Sequence, residues 1–376
     1  MQLTQPEVEF KTVLVYTPLA DSILDELRKH FETVLYFGVP QFVPLPAGAQ
    51  LPTPSDYEQV DALFGFTVPP NLTNVKQTPR LKLFQGLSAG YGHITSTEFY
   101  KSVPEEGGQV TFASASGIHV STIGEHVLGT VLMLYHKLHT IAVRHYTEQR
   151  WLTHAELGGN YIRELNTLKV GIVGYGHIGR ETARLFHGCG STIYALTRSG
   201  LPAPIGGFLL PHTGDPSGTL PAKYFSSSSR ESFLAFFAEC DVVVNTLPDS
   251  EATRNFVGED ELRAMKGDGV YVNIGRGTTT DQEALVKALQ AEKGEGEEVA
   301  ATGSLRIGGA SLDVTVPEPL PTGHPLFILP NVVLTPHMSG LSTRYFENAA
   351  KVLEVNTDRM RLGKGALNAF KGKGEE

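Results

Sequence analysis

Cysteine is scarce in this chain. Of its 376 residues only Cys189 and Cys240 are cysteines, too few for a disulfide framework and not at a metal-ligand spacing. Each is read as a free thiol packed in the interior. Long apolar runs are missing too. No window approaches about 18 uninterrupted apolar residues, so no membrane span is expected. Positive charge is in short supply: 31 Lys and Arg against 40 Asp and Glu leave a net charge of −9, which argues against a nucleic-acid surface. The opening MQLTQPEVEFKTVLVY lacks the basic start, apolar stretch and small-residue cleavage site of a secretion signal. A cytoplasmic location is therefore expected, and the sequon Asn71-Leu72-Thr73 carries no weight. Internal repeats are absent.

What is present is ordinary globular material, with 41% hydrophobic and 19% charged residues, enough for a full core. The length exceeds one ordinary domain, so two are expected. Strand-like runs at 11–16 (KTVLVY), 61–66 and 81–85 alternate with a helix-like stretch at 21–31, the pattern of parallel βαβ units. Residues 39–54 are too rich in proline for regular structure. A long helical segment runs from Val120 to about Arg150, its first half apolar on nearly every face, as in a helix buried between domains or subunits. His136 and His139 stand one turn apart in it, but no third ligand accompanies them and no metal is expected.

After Trp151 six β-type runs follow, KVGIV, STIYAL, DVVVNTL, GVYVNIG, GGASLDV and NVVLTP, separated by helical stretches. They predict a doubly wound parallel sheet. Two inserts, 199–230 and 291–306, read as surface loops, the second with a disordered tip, and the terminal KGKGEE reads as a frayed tail.

Gly174-Tyr175-Gly176-His177-Ile178-Gly179 follows the first of these runs and opens a helix at Arg180. GxGxxG alone is weak, but the strand–turn–helix context gives it meaning as a dinucleotide site. Its first glycine permits the tight turn, the second admits the pyrophosphate and the third allows close helix–strand packing. The next run ends in Thr197-Arg198-Ser199, without the carboxylate that selects NAD. An arginine there suits a 2′-phosphate, so NADP is the preferred cofactor, with NAD possible.

Three further residues follow later runs: Arg276, Glu318 and His337. In a parallel sheet, ligands sit beyond the carboxyl ends of strands, where these residues fall. A 2-oxo acid offers a carboxylate and a carbonyl that the Arg276 guanidinium suits with planar, charge-assisted bonds. His337 suits proton donation to that carbonyl or removal in the reverse direction. Glu318 would hold the imidazole and favour its charged form.

These stretches, GYGHIGR, NIGRG and LDVTVPEPLPTGHPLFILPNVVLTPHMSG, resemble the D-isomer-specific 2-hydroxyacid dehydrogenase family over nearly the whole chain, most closely its glyoxylate/hydroxypyruvate reductase-like members. The resemblance implies an α/β fold of two Rossmann-like domains, doubly wound parallel sheets with an interdomain cleft. It gives a flavodoxin-like substrate domain, 1–117 plus 341–376, and a dinucleotide-binding domain, 118–340. It implies that Arg276 binds substrate, Glu318 supports the histidine and His337 is the acid/base. Asp313 would meet the nicotinamide carboxamide, and Thr246, Leu247, Pro248, Ile274, Gly275 and Ser339 would line the cofactor. Ser88, Ala89 and Gly90 would present N–H groups to the substrate carboxylate, although Gly92 stands where members often carry Asp. The partners implied are a small 2-oxo or 2-hydroxy acid and, through the helical segment after Val120, a second copy of the chain. A formate-dehydrogenase-like enzyme is a rival, and Glu318 counts against it. A nucleotide-sensing corepressor-like protein is another; the lack of a basic run or low-complexity tail counts against that.

Overall fold

The structure, a computed structural model, describes residues 8–40, 44–104, 110–159, 162–291 and 305–370. The expected disordered tip of the second insert and the KGKGEE tail lie outside them. The chain divides into two compact units. The first comprises residues 1–118, Gly206–Leu210 and Thr343–Glu376; the second comprises His119–Ile205 and Pro211–Ser342. The sequence reading had kept 206–210 inside the dinucleotide domain. They instead supply Phe208 to the first unit's core, where it is buried near Ala349 and Leu353.

In the first unit, β1 (Thr12–Tyr16), β2 (Thr33–Tyr36), β3 (Ala62–Gly65), β4 (Leu83–Gly86) and β5 (Thr111–Ala113) pair in parallel in the order β2-β1-β3-β4-β5. That is the flavodoxin-like order. Alternation along β1 explains its unbroken apolar sequence: Val13 and Val15 enter one core cluster, Leu14 and Tyr16 the other. A strand covered on both faces has no need of polar residues.

The second unit carries seven strands among the described residues: β6 (Lys169–Val173), β7 (Thr192–Thr197), β8 (Lys223–Ser226), β9 (Val242–Asn245), β10 (Val270–Asn273), β11 (Gly309–Leu312) and β12 (Val332–Leu334). All pair in parallel in the order β8-β7-β6-β9-β10-β11-β12. The order reverses at β6, the switch point where ligands bind in such sheets. Gly171 in β6 shows how tightly one face is filled, because a Cβ there would lie 2.6 Å from Phe236 Cζ. The chain then returns to the first unit through the helix Tyr345–Arg361 and β13 (Ala369–Phe370), which pairs antiparallel with β5.

Several expectations change here. The helical segment after Val120 is two helices, Val120–Tyr135 and Leu138–Glu148, broken where Lys137 takes a left-handed φ of 55°. His139 in the second lies against the carbonyls of Met133 and Pro330. The first insert is not simply a surface loop, since it contains β8 and buries Phe208, Asp215 and Phe225. Cys240 is buried, and burial pushes its thiol up, but Cys189 at the carboxyl end of the helix His177–Gly188 is exposed. That helix end faces solvent, so nothing covers its cap residue. Among the described residues no helix is long and apolar enough to cross a membrane.

Candidate active site

The fingerprint loop leaves β6 with Gly174 at φ +84°, a conformation that a side chain would strain. Thr246 Oγ1 donates to Gly174 O at 2.7 Å, tying the loop to the end of β9. A Cβ on Gly179 would overlap Gly174 O and sit 2.7 Å from Ile172 Cγ2, so this glycine lets the helix His177–Gly188 press against the strand. Gly176 is the opposite case. A Cβ there would meet nothing within 4 Å, and this residue caps the helix without any side-chain bond. Open space in front of a helix N-terminus that starts at a glycine is what a pyrophosphate needs. The cradle fits a dinucleotide.

Where β7 ends, Thr197 Oγ1 accepts from Gly200 N, and Ser199 Oγ accepts from Leu201 N. The Arg198 carbonyl accepts from Ser226 and Ser228 hydroxyls, while its side chain is exposed. The backbone of this turn is thus held, and the cation projects from a fixed base.

The turn after β10 is shaped by Asn273, buried and unremarked in the sequence reading although it opens NIGRG. Its Oδ1 accepts from Gly275 N at 3.0 Å and its Nδ2 donates to Arg276 O at 3.0 Å. Arg276 is half-buried, and its Nη1 donates to Gly275 O at 2.7 Å, leaving other guanidinium N–H groups for a ligand. Gly275 admits no side chain, because a Cβ would come within 2.9 Å of Leu247 N. Leu247 N in turn donates to Asn245 Oδ1. Residues 245–248 and 273–276, quoted from separate parts of the sequence, therefore form one packed floor.

His337 and Glu318, nineteen residues apart, meet with Nδ1 2.5 Å from Glu318 Oε1. Their side chains are 46% and 39% exposed, so both are open to solvent. His337 holds φ at 50°, and its N–H donates to Asp313 O at 2.9 Å. The resemblance places Asp313 against the nicotinamide. In the structure its carboxylate is buried, accepting from the Thr335 hydroxyl at 2.5 Å and from Met338 and Ser339 N–H at 3.0 Å each. Burial alone would raise this carboxyl, but those donors hold it below the ordinary carboxylate range. Its visible task is to hold the turn that carries His337. Thr335, which sequence reasoning passed over, links it onward to His126 Nε2 at 3.4 Å. Thr335 and Ser339 both belong to the TPHMSG stretch, so the signal for them was present.

In the first unit, Ser88-Ala89-Gly90 lies beyond the carboxyl end of β4. Ser88 Oγ donates to Gly90 O at 2.6 Å, and Ser88 O accepts from Ala115 N. Tyr91 stacks on Phe370 at 4.0 Å. Gly92 opens a short helix, Gly92–Thr95, and the loop is held by these contacts instead of an aspartate.

The chain is similar to known proteins. Residues 128–207 and 213–339 match the family described as D-isomer specific 2-hydroxyacid dehydrogenase, NAD binding domain. Glyoxylate/hydroxypyruvate reductase B of Escherichia fergusonii is 25% identical over 359 residues, 93% of this chain and 96% of that protein. An uncharacterized protein from the proB 3′ region of Corynebacterium melassecola is 31% identical over 233 residues, spanning 62% of this chain and 65% of that one. Among solved structures, a D-isomer specific 2-hydroxyacid dehydrogenase from Xanthobacter autotrophicus Py2 in complex with NADPH and MES shares the fold. Its TM-score is 0.69 at 22% identity, over 96% of this chain and 98% of that one.

Proposed function

The chain belongs to the D-isomer specific 2-hydroxyacid dehydrogenase family, and from that membership we propose that it reduces a small 2-oxo acid of the glyoxylate or hydroxypyruvate kind, with NADPH preferred to NADH. The observation that carries the reading is the His337–Glu318 contact at 2.5 Å beside the floor that presents Arg276. With Nδ1 donating to the carboxylate, Nε2 is the nitrogen that gives a proton to the carbonyl oxygen, or takes one from the hydroxyl in oxidation. A reduced nicotinamide dinucleotide held on the fingerprint cradle would supply the hydride. Arg276 binds the substrate carboxylate and polarises the carbonyl, as its free N–H groups allow. Ser88, Ala89 and Gly90 are assigned as further carboxylate donors.

The preference for NADPH rests on Thr197-Arg198-Ser199. No carboxylate stands there to repel a 2′-phosphate, and an exposed cation such as Arg198 suits pairing with one. A charge-assisted contact of this kind is worth about 1.5–3 kcal/mol, or roughly 10- to 100-fold. Oxidation of NADPH and NADH should be followed with glyoxylate, hydroxypyruvate and larger 2-oxo acids, in wild type and Arg198→Ala. Turnover with the small acids is expected, with an NADPH preference that collapses in the variant. No turnover with any of them would overturn the enzymatic reading, and an unchanged cofactor ratio would overturn the role of Arg198.

The same reading includes a homodimer. The helix Leu138–Glu148 has no buried residue, and Val143, Tyr146, Trp151 and Ile328 are large exposed apolar side chains. Val143 and Ile328 line one end of a cleft of about 1350 Å³, which also contains apolar groups such as Met133, Leu329 and Val333 and reaches Glu318 and His337. A patch of that kind is covered by a partner, here a second copy. Light scattering should give twice the chain mass, and Val143→Glu with Tyr146→Glu should halve it. The exposed thiol of Cys189 suits the reducing cytosol as the site of action.

A further inference from the structure

The insert after β7 does more than fill space beside the sheet. Asp215 opens an Asp-Pro-Ser-Gly turn, with proline and glycine at the positions a type I turn favours. Gly218 N donates back to Asp215 O at 3.1 Å. Its carboxylate gathers a set of donors: Gly218 N at 3.1 Å and Thr219 N at 3.0 Å on Oδ1, with Ser217 Oγ at 3.5 Å, and Leu220 N at 3.0 Å on Oδ2. One donor comes from outside the insert. Tyr175, the second residue of the fingerprint, donates its hydroxyl to Oδ2 at 2.9 Å.

Arg180, one residue beyond the fingerprint, repeats the connection on the backbone. Its Nε donates to Tyr175 O at 2.9 Å, Nη1 to Asp215 O at 2.5 Å and Nη2 to Ala203 O at 2.7 Å. The guanidinium also lies 4.8 Å from the Tyr175 ring centre. Both legs of the insert, at Ala203 and at Asp215, are therefore pinned to the same loop. Arg180, Asp215 and Tyr175 are all buried, so these bonds are shielded from water and costly to leave unmade. Tyr175 is also wedged against Tyr224, whose hydroxyl donates to Gly218 O at 2.8 Å.

The arrangement divides the fingerprint into two faces. At Gly176 the loop is open, as a pyrophosphate requires. At Tyr175, the neighbouring residue, every polar side-chain atom is tied to the insert. An ordered segment of this length costs conformational entropy, which a mere decoration would not offset. We propose that the insert is an affinity element for the dinucleotide, in which Asp215 is a positioning residue that holds the pyrophosphate loop in its binding shape through the Tyr175 hydroxyl.

This proposal rests on the fingerprint being the dinucleotide site. The test measures NADPH dissociation constants directly, by the change in nicotinamide fluorescence, for wild type, Tyr175→Phe, Asp215→Asn and the double variant. Each single change should raise Kd about tenfold, the scale of one hydrogen bond to a charged group. The double variant should be no worse than the weaker single one, because both remove the same bond. The loss should fall on Kd and on KM for NADPH more than on kcat. Tyr175→Phe deletes one hydroxyl and keeps the packing, so it decides the matter even where Asp215→Asn folds poorly. A wild type that does not bind NADPH would sink the fingerprint reading itself. If wild type binds but Tyr175→Phe leaves Kd unchanged, or lowers only the melting temperature, the positioning role is overturned and the fingerprint reading stands. Additive effects of the two changes would likewise overturn it.

Discussion

The fingerprint loop and the His337–Glu318 pair sit at the ends of strands in the same sheet and are built on opposite plans. In the fingerprint, specificity of shape is in the backbone: Gly174, Gly176 and Gly179 are needed for what they lack, and the side chains between them face the protein. At the other place the side chains of His337 and Glu318 are exposed, and the rigidity lies beneath them in Asp313, Thr335 and the Ser339 N–H. A polyanionic ligand that must be gripped along its backbone suits the first plan. The proposed acid–base exchange at His337 would suit the second, because a group that gives and takes a proton has to reach its substrate.

The sharpest way to separate the two is His337→Ala. General acid–base help is worth about 10²–10⁴-fold, so turnover should fall by that order while NADPH still binds with nearly the wild-type Kd. Near-normal turnover would end the assignment of His337, and loss of binding would end the contrast. Gly179→Ala should do the reverse. The added methyl collides with backbone at Gly174, and overpacking of this kind costs about 1–3 kcal/mol. NADPH affinity and melting temperature should both drop, and titration beside thermal melts checks this; an unchanged Kd would mean that the helix need not press so closely on β6.

The smallest expected effect belongs to a site that touches neither region. Asp241 lies at the opposite end of β6 from the fingerprint, accepting from Lys169 N at 2.8 Å and pairing with Arg163 and Lys266. Burial would raise its carboxyl, but these donors hold it below the ordinary range. A depressed folded-state value means that its contribution is complete above the unfolded value, about 3.9, and is lost as pH falls through the folded one. Asp241→Asn should therefore lower stability by about 1–2 kcal/mol at neutral pH and flatten its decline in acid. Urea melts between pH 7 and pH 3 read both; a parallel acid decline in the variant would show that Asp241 does not drive it.

Most strands of the second sheet could be read in advance because they are buried on both faces, which writes runs of apolar and small residues such as VVVN in β9 and GASL in β11. β8 escaped because Lys223–Ser226 is an edge strand with only Phe225 fully buried, so its sequence carries no such run. The break at Lys137 escaped for a different reason. A single left-handed residue that is not glycine leaves no mark on composition. Arg276, Glu318 and His337 were legible as residue types at strand ends, and the contact between the last two follows. Asn273 was not, since a buried amide acting on backbone has no chemistry of its own to betray it, and Thr335 stood in the quoted TPHMSG stretch without a role that residue type alone would name. The first insert was misjudged by composition: its Gly, Pro and Ser spell turns, and these turns fold around buried Asp215.

The first unit is discontinuous, and this bears on the order in which the protein is made. During synthesis its strands β1 to β5 leave the ribosome first, yet the sheet is not finished then. Phe208, the helix Tyr345–Arg361 and β13 belong to it, and buried Asn356 reaches Gln85 Oε1 at 2.8 Å only once that helix exists. The second unit needs nothing beyond Ser342. The first unit's amino-terminal strands are thus made well before the pieces that complete their sheet. Until β13 is made, β5 keeps an open edge.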